Sequence, residues 1–302
     1  MVNRLFIKEE EFPSEEELKE MDTVIGVDLS QGSDLSGLSI IHIKGLDNEN
    51  DDIPTFYIDN HIFCSQKVIK NISQEHIPFA YWGKKGYINI KDRDWIEWRD
   101  IVEKIVYFKE RYGIEYICGD MYRSTLLISE SEKVDLELLK INEQRKTEFP
   151  FMKLIQVKTG SYRSPKTVQD QVREINAPRR GRVNSTKISG VNRNIIFSMS
   201  EMLDKVRPIM NTGKVKIKIN PCVKYSLNSL KVASDIHGNV APDRKTSNCL
   251  DPAISVLSGL SMGLELKNMP REMSVEELQK ARELKNKAYL QRRNPGYAAA
   301  QN

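Results

Sequence analysis

The sequence predicts an α/β fold built on one mixed sheet, three antiparallel strands followed by parallel strands, with helices on its flanks. Three observations carry that expectation. Runs of β-forming residues at Thr23 to Asp28, Leu38 to Ile43 and Thr55 to Cys64 follow one another across short polar turns, the pattern of an antiparallel meander. The apolar period then changes from two to about 3.6 residues. Trp95, Ile96, Trp98, Ile101, Val102, Ile105, Val106, Phe108 and Tyr112 recur at helical spacing, and Ile114 to Cys118 follows as a short apolar strand. Finally the cycle repeats, with an amphipathic stretch at 124–144 leading into Lys153 to Val157. A helix feeding a strand, twice, is the grammar of parallel pairing.

Residues 1–22 are acidic and read as a linker or a short docking helix. The main domain is expected over 23–266. Its first strand delivers Asp28 to a Gly/Ser turn that carries Asp34, so carboxylates stand at the mouth of a hairpin. Such a carboxylate is costly to bury unless a metal ion or a basic group sits beside it. The stretch 65–90 is ambiguous, with some helix. Asp94 is the candidate N-cap of the following helix and Gly113 its stop, with both tryptophans assigned to the core. The next strand ends in Gly119-Asp120. Ile195 to Met210 reads as a helix and Lys214 to Ile219 as a half-exposed strand. A turn follows at Asp235 to Asn239, and a last apolar helix runs to Met262 with Asp251 as its N-cap and Pro252 behind it. Residues 267–302 form a charged helix and tail.

At 302 residues the chain can bury a large core. No run approaches the ~20 apolar residues of a membrane span, and the N-terminus has no signal-peptide core. Cys64, Cys118, Cys222 and Cys249 lie far apart, which argues against a zinc site or a disulfide framework and for a reducing cytoplasm. Formal net charge is only +4, yet Lys153 to Arg193 holds ten basic and two acidic residues. An insertion around 158–193 concentrates Lys158, Arg163, Lys166, Arg173, Arg179, Arg180, Arg182, Lys187 and Arg193 among glycines and small polar residues. Guanidinium groups on flexible backbone suit contact with the phosphates of double-stranded DNA.

This element order is that of an RNase H-like fold. An actin-like ATPase opens similarly, but no second phosphate-binding hairpin is found, and no Gly-x-x-x-x-Gly-Lys-Ser/Thr loop occurs. In an RNase H-like sheet the ends bearing Asp28 and Asp120 are neighbours, and the helix of Asp251 packs beside them. Oxygen donors of this kind suit two Mg²⁺ or Mn²⁺ ions, which activate water for in-line attack on phosphorus. Asp34 is a candidate fourth ligand. His237 and Lys245 are candidate phosphate contacts.

The residues at these positions resemble those of the nuclease domain of the large terminase subunit of tailed bacteriophages. The resemblance rests on Gly26-Val27-Asp28-Leu29-Ser30 with Asp34-Leu35-Ser36, on Gly119-Asp120-Met121-Tyr122-Arg123-Ser124, and on a later block. That block contains Asn220-Pro221, Asn228, Asp235, Gly238-Asn239, Pro242, Lys245 and Leu250-Asp251-Pro252-Ala253. It implies a metal-dependent endonuclease that cuts concatemeric viral DNA in the cytoplasm of a bacterial host, beside a packaging ATPase domain, a portal protein and a small terminase subunit. The acidic triad carries onto Asp28, Asp120 and Asp251, and the auxiliary acid onto Asp34. The family's N-terminal ATPase domain has no counterpart here, so an excised domain or a split-gene product is expected. A Holliday-junction resolvase, a transposase-like enzyme, an actin-like protein and a non-catalytic DNA-binding packaging factor are the alternatives.

Overall fold

The computed structural model describes residues 2–30, 34–46, 53–72, 77–120, 153–158, 196–243 and 249–269; of 71–72, 120, 153–158 and 196 only the backbone is described. In chain order a 3₁₀ turn at Val2–Leu5 leads into a two-residue strand, β1 (Phe6–Ile7), and then a short helix, α1 (Glu15–Lys19). Ser14 and Glu17 close the start of α1 reciprocally, each side chain accepting the other's backbone N–H. The meander follows as β2 (Asp22–Asp28), β3 (Ser36–Lys44) and β4 (Thr55–Ser65), and the ambiguous stretch resolves into α2 (Gln66–Ile72), α3 (Phe79–Lys84) and β5 (Asn89–Lys91). Next come α4 (Trp98–Tyr112), β6 (Tyr116–Asp120), β7 (Lys153–Lys158), β8 (Ile196–Ser198), α5 (Met199–Ile209), β9 (Val215–Lys218) and α6 (Pro221–Ser229). A small hairpin, β10 (Val232–Ser234) and β11 (Val240–Pro242), precedes the last long helix, α7 (Asp251–Glu265).

Among the described residues the main sheet has nine strands in the order β1-β9-β4-β3-β2-β6-β7-β8, with β5 beside β4. Strands β2, β3 and β4 pair antiparallel, and β6, β7 and β8 continue from β2 in parallel. The expected order of pairing holds. Helix α4 starts at Trp98 with Glu97 at its cap, three residues later than Asp94, and stops at Gly113, whose φ of +64 ends it in the left-handed conformation. Trp98 packs against the core, but Trp95 is 56% exposed, contrary to its expected burial. The Ser124 to Gln144 helix, the basic residues after Lys158 and the tail helix fall outside the described residues.

Two findings revise the element boundaries. Residues 1–22, expected as a linker or a short docking helix, carry the short helix α1 and also a strand: β1 extends the sheet in parallel with β9, and Leu5 and Leu18 are buried. The helix expected from Ile195 begins instead at Met199, because Ser198 caps it with Glu201 and the three preceding residues pair with β7. Up to Asn268 the described residues form one compact unit.

Alternation along the strands divides the sheet into two faces. One face, with Ile25, Val27, Leu38, Ile40 and Phe63, receives Ile101, Val102 and Ile105 of α4, all three at most 1% exposed. Each such side chain contributes about 1.5–3 kcal/mol by burial. The other face is covered by α7.

Candidate active site

Helix α7 meets the sheet at glycines. A methyl group at Gly26 would run into the Ser255 carbonyl oxygen and stand 2.5 Å from the Gly259 nitrogen; one at Gly37 would stand 2.7 Å from the Asp251 carbonyl oxygen and 3.0 Å from Pro252 Cα. Helix and strand therefore touch backbone to backbone. Gly37 is the register partner of Asp28 across β2 and β3, so the first turn of α7 is seated on the strand end that carries Asp28. Asp28 is 2% and Asp251 3% exposed, and the structure brings these two acids to one end of one face.

Asp120 is the last residue of β6. The parallel register pairs Gly26 with Cys118 and Val27 with Gly119, and its continuation by one residue puts the Asp120 backbone beside that of Asp28. Asp34 lies in the β2–β3 turn. Its N–H donates to Ser30 Oγ at 3.0 Å, and the Ser30 N–H donates to Ser36 Oγ at 2.9 Å, which ties the turn together. Burial, with the charge of Asp34 adding to it, pushes the Cys64 thiol up to about 12, and Cys222 is raised by burial, by Cys249 and Cys64, and by Asp34. Those thiols stay protonated at neutral pH and are poor ligands for a cation.

The start of α7 is secured from elsewhere. Leu250 occupies the cap position and makes no side-chain cap bond, and Asp251, expected as the N-cap, is the first helical residue, so the helix begins one residue earlier than expected. Ser226 of α6 does what a cap does: its hydroxyl accepts the Ala253 N–H at 2.9 Å and donates to the Cys249 carbonyl at 2.5 Å. Cys249 itself is held at φ +55, a strained conformation for a side-chain-bearing residue two positions before the acid. Nothing in the local sequence marks Ser226 for this role, because the helix it caps is reached only through the fold. Gly26 and Gly37 carried a readable signal, two glycines inside apolar strands, which points to close backbone approach.

The remaining candidates separate. His237 is exposed in the β10–β11 turn, where its N–H donates to Asp235 Oδ1. Lys245 and Arg163, Lys166, Arg173, Arg179, Arg180, Arg182, Lys187 and Arg193 lie outside the described residues. Lys158 ends β7, one residue beyond Val157, the partner of Asp120. The Lys158 backbone therefore stands at the acidic end of the sheet. The alternating lysines of β9 lie toward the opposite edge of the sheet, where Lys218 pairs with Glu9 at 2.7 Å and Lys216 lies over the Tyr57 ring.

Hard divalent cations take oxygen donors, and two buried carboxylates on one face, with a third acid in register beside them, fit such an ion by chemistry. Among the described residues no group of three His, Cys, Asp or Glu side chains is gathered for a metal; the side chain of Asp120 is not among those described.

The strand order and pairing are those of an RNase H-like mixed sheet. The chain is similar to the large terminase of bacteriophage HK97, at TM-score 0.56 and 15% identity over 83% of this chain and 40% of that one. It spans less than half the length of that protein. It is also similar to the large terminase nuclease of thermophilic phage G20c (TM-score 0.41, 11% identity, 80% of this chain and 82% of that one) and to the same nuclease with bound cobalt (0.40, 12%, 80% and 81%). The sequence matches no family model and no curated protein.

Proposed function

We propose that this chain is a divalent-metal-dependent endonuclease that hydrolyses phosphodiesters of double-stranded DNA, acting as the nuclease of a phage genome-packaging terminase on concatemeric viral DNA in the host cytoplasm. The observation that carries the reading is the seating of the Asp251 turn on Gly37, the residue paired with Asp28, so that two buried acids from opposite ends of the domain share one site. Asp28, Asp120 and Asp251 hold Mg²⁺ or Mn²⁺ as a pair of ions, with Asp34 as a further ligand. Bound there, the ions supply a polarised water and neutralise charge on the departing oxygen. Asp28 is fixed by strand pairing and Asp251 by helix packing, so the backbone positions that carry the two carboxylates are set before substrate arrives. The N-terminus of α7 adds a partial positive charge that favours the Asp251 carboxylate. Lys158 and the basic insertion attract the DNA backbone, and His237 and Lys245 contact the scissile phosphate. A packaging ATPase domain, a portal protein and a small terminase subunit are the proposed partners.

Incubation of supercoiled plasmid with Mn²⁺ or Mg²⁺ tests the assignment. Nicking and linearisation are expected with the native chain and abolished in Asp28→Asn, Asp120→Asn and Asp251→Asn, while duplex binding persists or strengthens, since removing negative charge favours phosphate. Variants that cut like the parent would refute the site. Replacing Arg179, Arg180 and Arg182 with Ala should weaken binding and lower the salt slope by roughly 0.9 for each phosphate no longer neutralised.

A further inference from the structure

Between the sheet and the first turn of α7 lies a buried polar chain. Ser39 Oγ is 2.8 Å from Asn60 Oδ1 and 2.8 Å from Ser255 Oγ, and Ser255 Oγ is 2.9 Å from the Pro252 carbonyl oxygen. Ser39 and Ser255 are fully buried and Asn60 is 8% exposed. Three oxygen-to-oxygen approaches need three protons. Two hydroxyls bring only two. Meanwhile Asn60 Nδ2, buried beside them, has no hydrogen-bond partner.

Both irregularities vanish together with the Asn60 amide turned over, so that Nδ2 rather than Oδ1 faces Ser39. We infer that Asn60, Ser39 and Ser255 form a one-directional relay, Asn60 Nδ2–H to Ser39 Oγ, Ser39 O–H to Ser255 Oγ and Ser255 O–H to the Pro252 carbonyl, that positions Asp251 against Asp28. Every link then holds one proton. The turn leaves a carbonyl oxygen rather than an N–H group without a partner, which buried structure tolerates more readily. The relay ends on the residue after Asp251, at the level where Ser255 Oγ stands 2.6 Å from a methyl placed on Gly37. It therefore fixes the same helix turn that the glycines admit, and makes Asn60 and Ser39 positioning residues that touch neither metal nor DNA.

This inference rests on the reading of Asp28 and Asp251 as metal ligands, and calorimetric titration of Mn²⁺ into the full chain, with thermal melts followed by circular dichroism, separates the two. Ser39→Ala and Asn60→Leu should each keep a cooperative melt and bind Mn²⁺ roughly tenfold more weakly, the lower end of losses for groups that orient ligands. Asn60→Asp tests direction. An ionised carboxylate can accept from Ser39 but cannot donate to it, so a relay starting at Nδ2 predicts weakened binding despite the added negative charge. Lowered melting temperatures with unchanged Mn²⁺ affinity in Ser39→Ala and Asn60→Leu would overturn the relay alone. A native chain that binds no Mn²⁺ would overturn both readings.

Discussion

On one face of the sheet α4 lays Ile101, Val102 and Ile105 against Ile25, Val27, Leu38 and Ile40; on the other, α7 brings Ser255 and Gly259 onto the bare backbone of Gly26 and Gly37. The first interface is made by branched side chains, whose rotamers let a helix shift by some tenths of an ångström at little cost. The second is made by main-chain atoms that have nowhere to yield. Asp28 and Asp251 both belong to the second face. A site whose ligands come from a strand and a helix needs their separation fixed, and approach without intervening side chains fixes it most tightly. The same contrast explains why serines, poor core residues elsewhere, fill positions 39 and 255 with complete burial.

Substitution can break this contrast from either side. Gly26→Ala should have the largest effect, because the added methyl meets the Ser255 carbonyl and the Gly259 backbone and so acts on stability and site together; a destabilisation at or above the top of the about 1–3 kcal/mol range for overpacking is expected along with weakened Mn²⁺ binding. Ile105→Ala, on the α4 face, should cost about 2–5 kcal/mol through its cavity yet leave Mn²⁺ affinity as in the native chain. Melts and Mn²⁺ titrations of both variants check the pair. If Gly26→Ala melts like the native chain, or Ile105→Ala weakens Mn²⁺ binding, the division of labour between the faces is wrong.

How far these faces are legible in the sequence depends on what makes them. Strands β2 and β3 declare themselves because apolar β-forming runs and a Gly/Ser turn are local signals, and α4 because its apolar period runs unbroken to a glycine stop. Asp28 and Asp251 are legible as acids at element ends. The two-residue strand β1 carries no period, and its partner is β9, far along the chain. The start of α5 does carry a signal, Ser198-Met199-Ser200-Glu201, the spacing of a capping box, which displaces the expected helix by several residues. Ser226 as a borrowed cap, and the Asn60 to Ser255 chain, join residues distant in sequence through geometry alone. No local pattern encodes them.

The smallest expected effect concerns a polar residue buried within the sheet itself. His42, opposite Thr23 and edge-on to Tyr112, is 1% exposed, and burial lowers its pKa from 6.5 to about 4. Its Nδ1 lies 2.9 Å from Thr23 Oγ1. Between those two values the unfolded chain binds the proton and the folded chain does not, so stability rises with pH across that window and is lost as pH falls from about 6.5 toward about 4. The loss is on the order of 2–3 kcal/mol over the whole window, less at any pH within it. His61, lowered by burial and by the charges of Lys104 and Lys218 against the opposing pull of Asp59, works in the same direction, so replacing His42 removes only its own share. In denaturant unfolding at pH 7.0 and pH 5.0, His42→Gln should therefore narrow the gap in stability that the native chain shows between the two, while plasmid nicking at pH 7.0 is unaltered. An equal gap in both proteins would mean that His42 is protonated in the folded state, and that this position tolerates a charge that its packing should exclude.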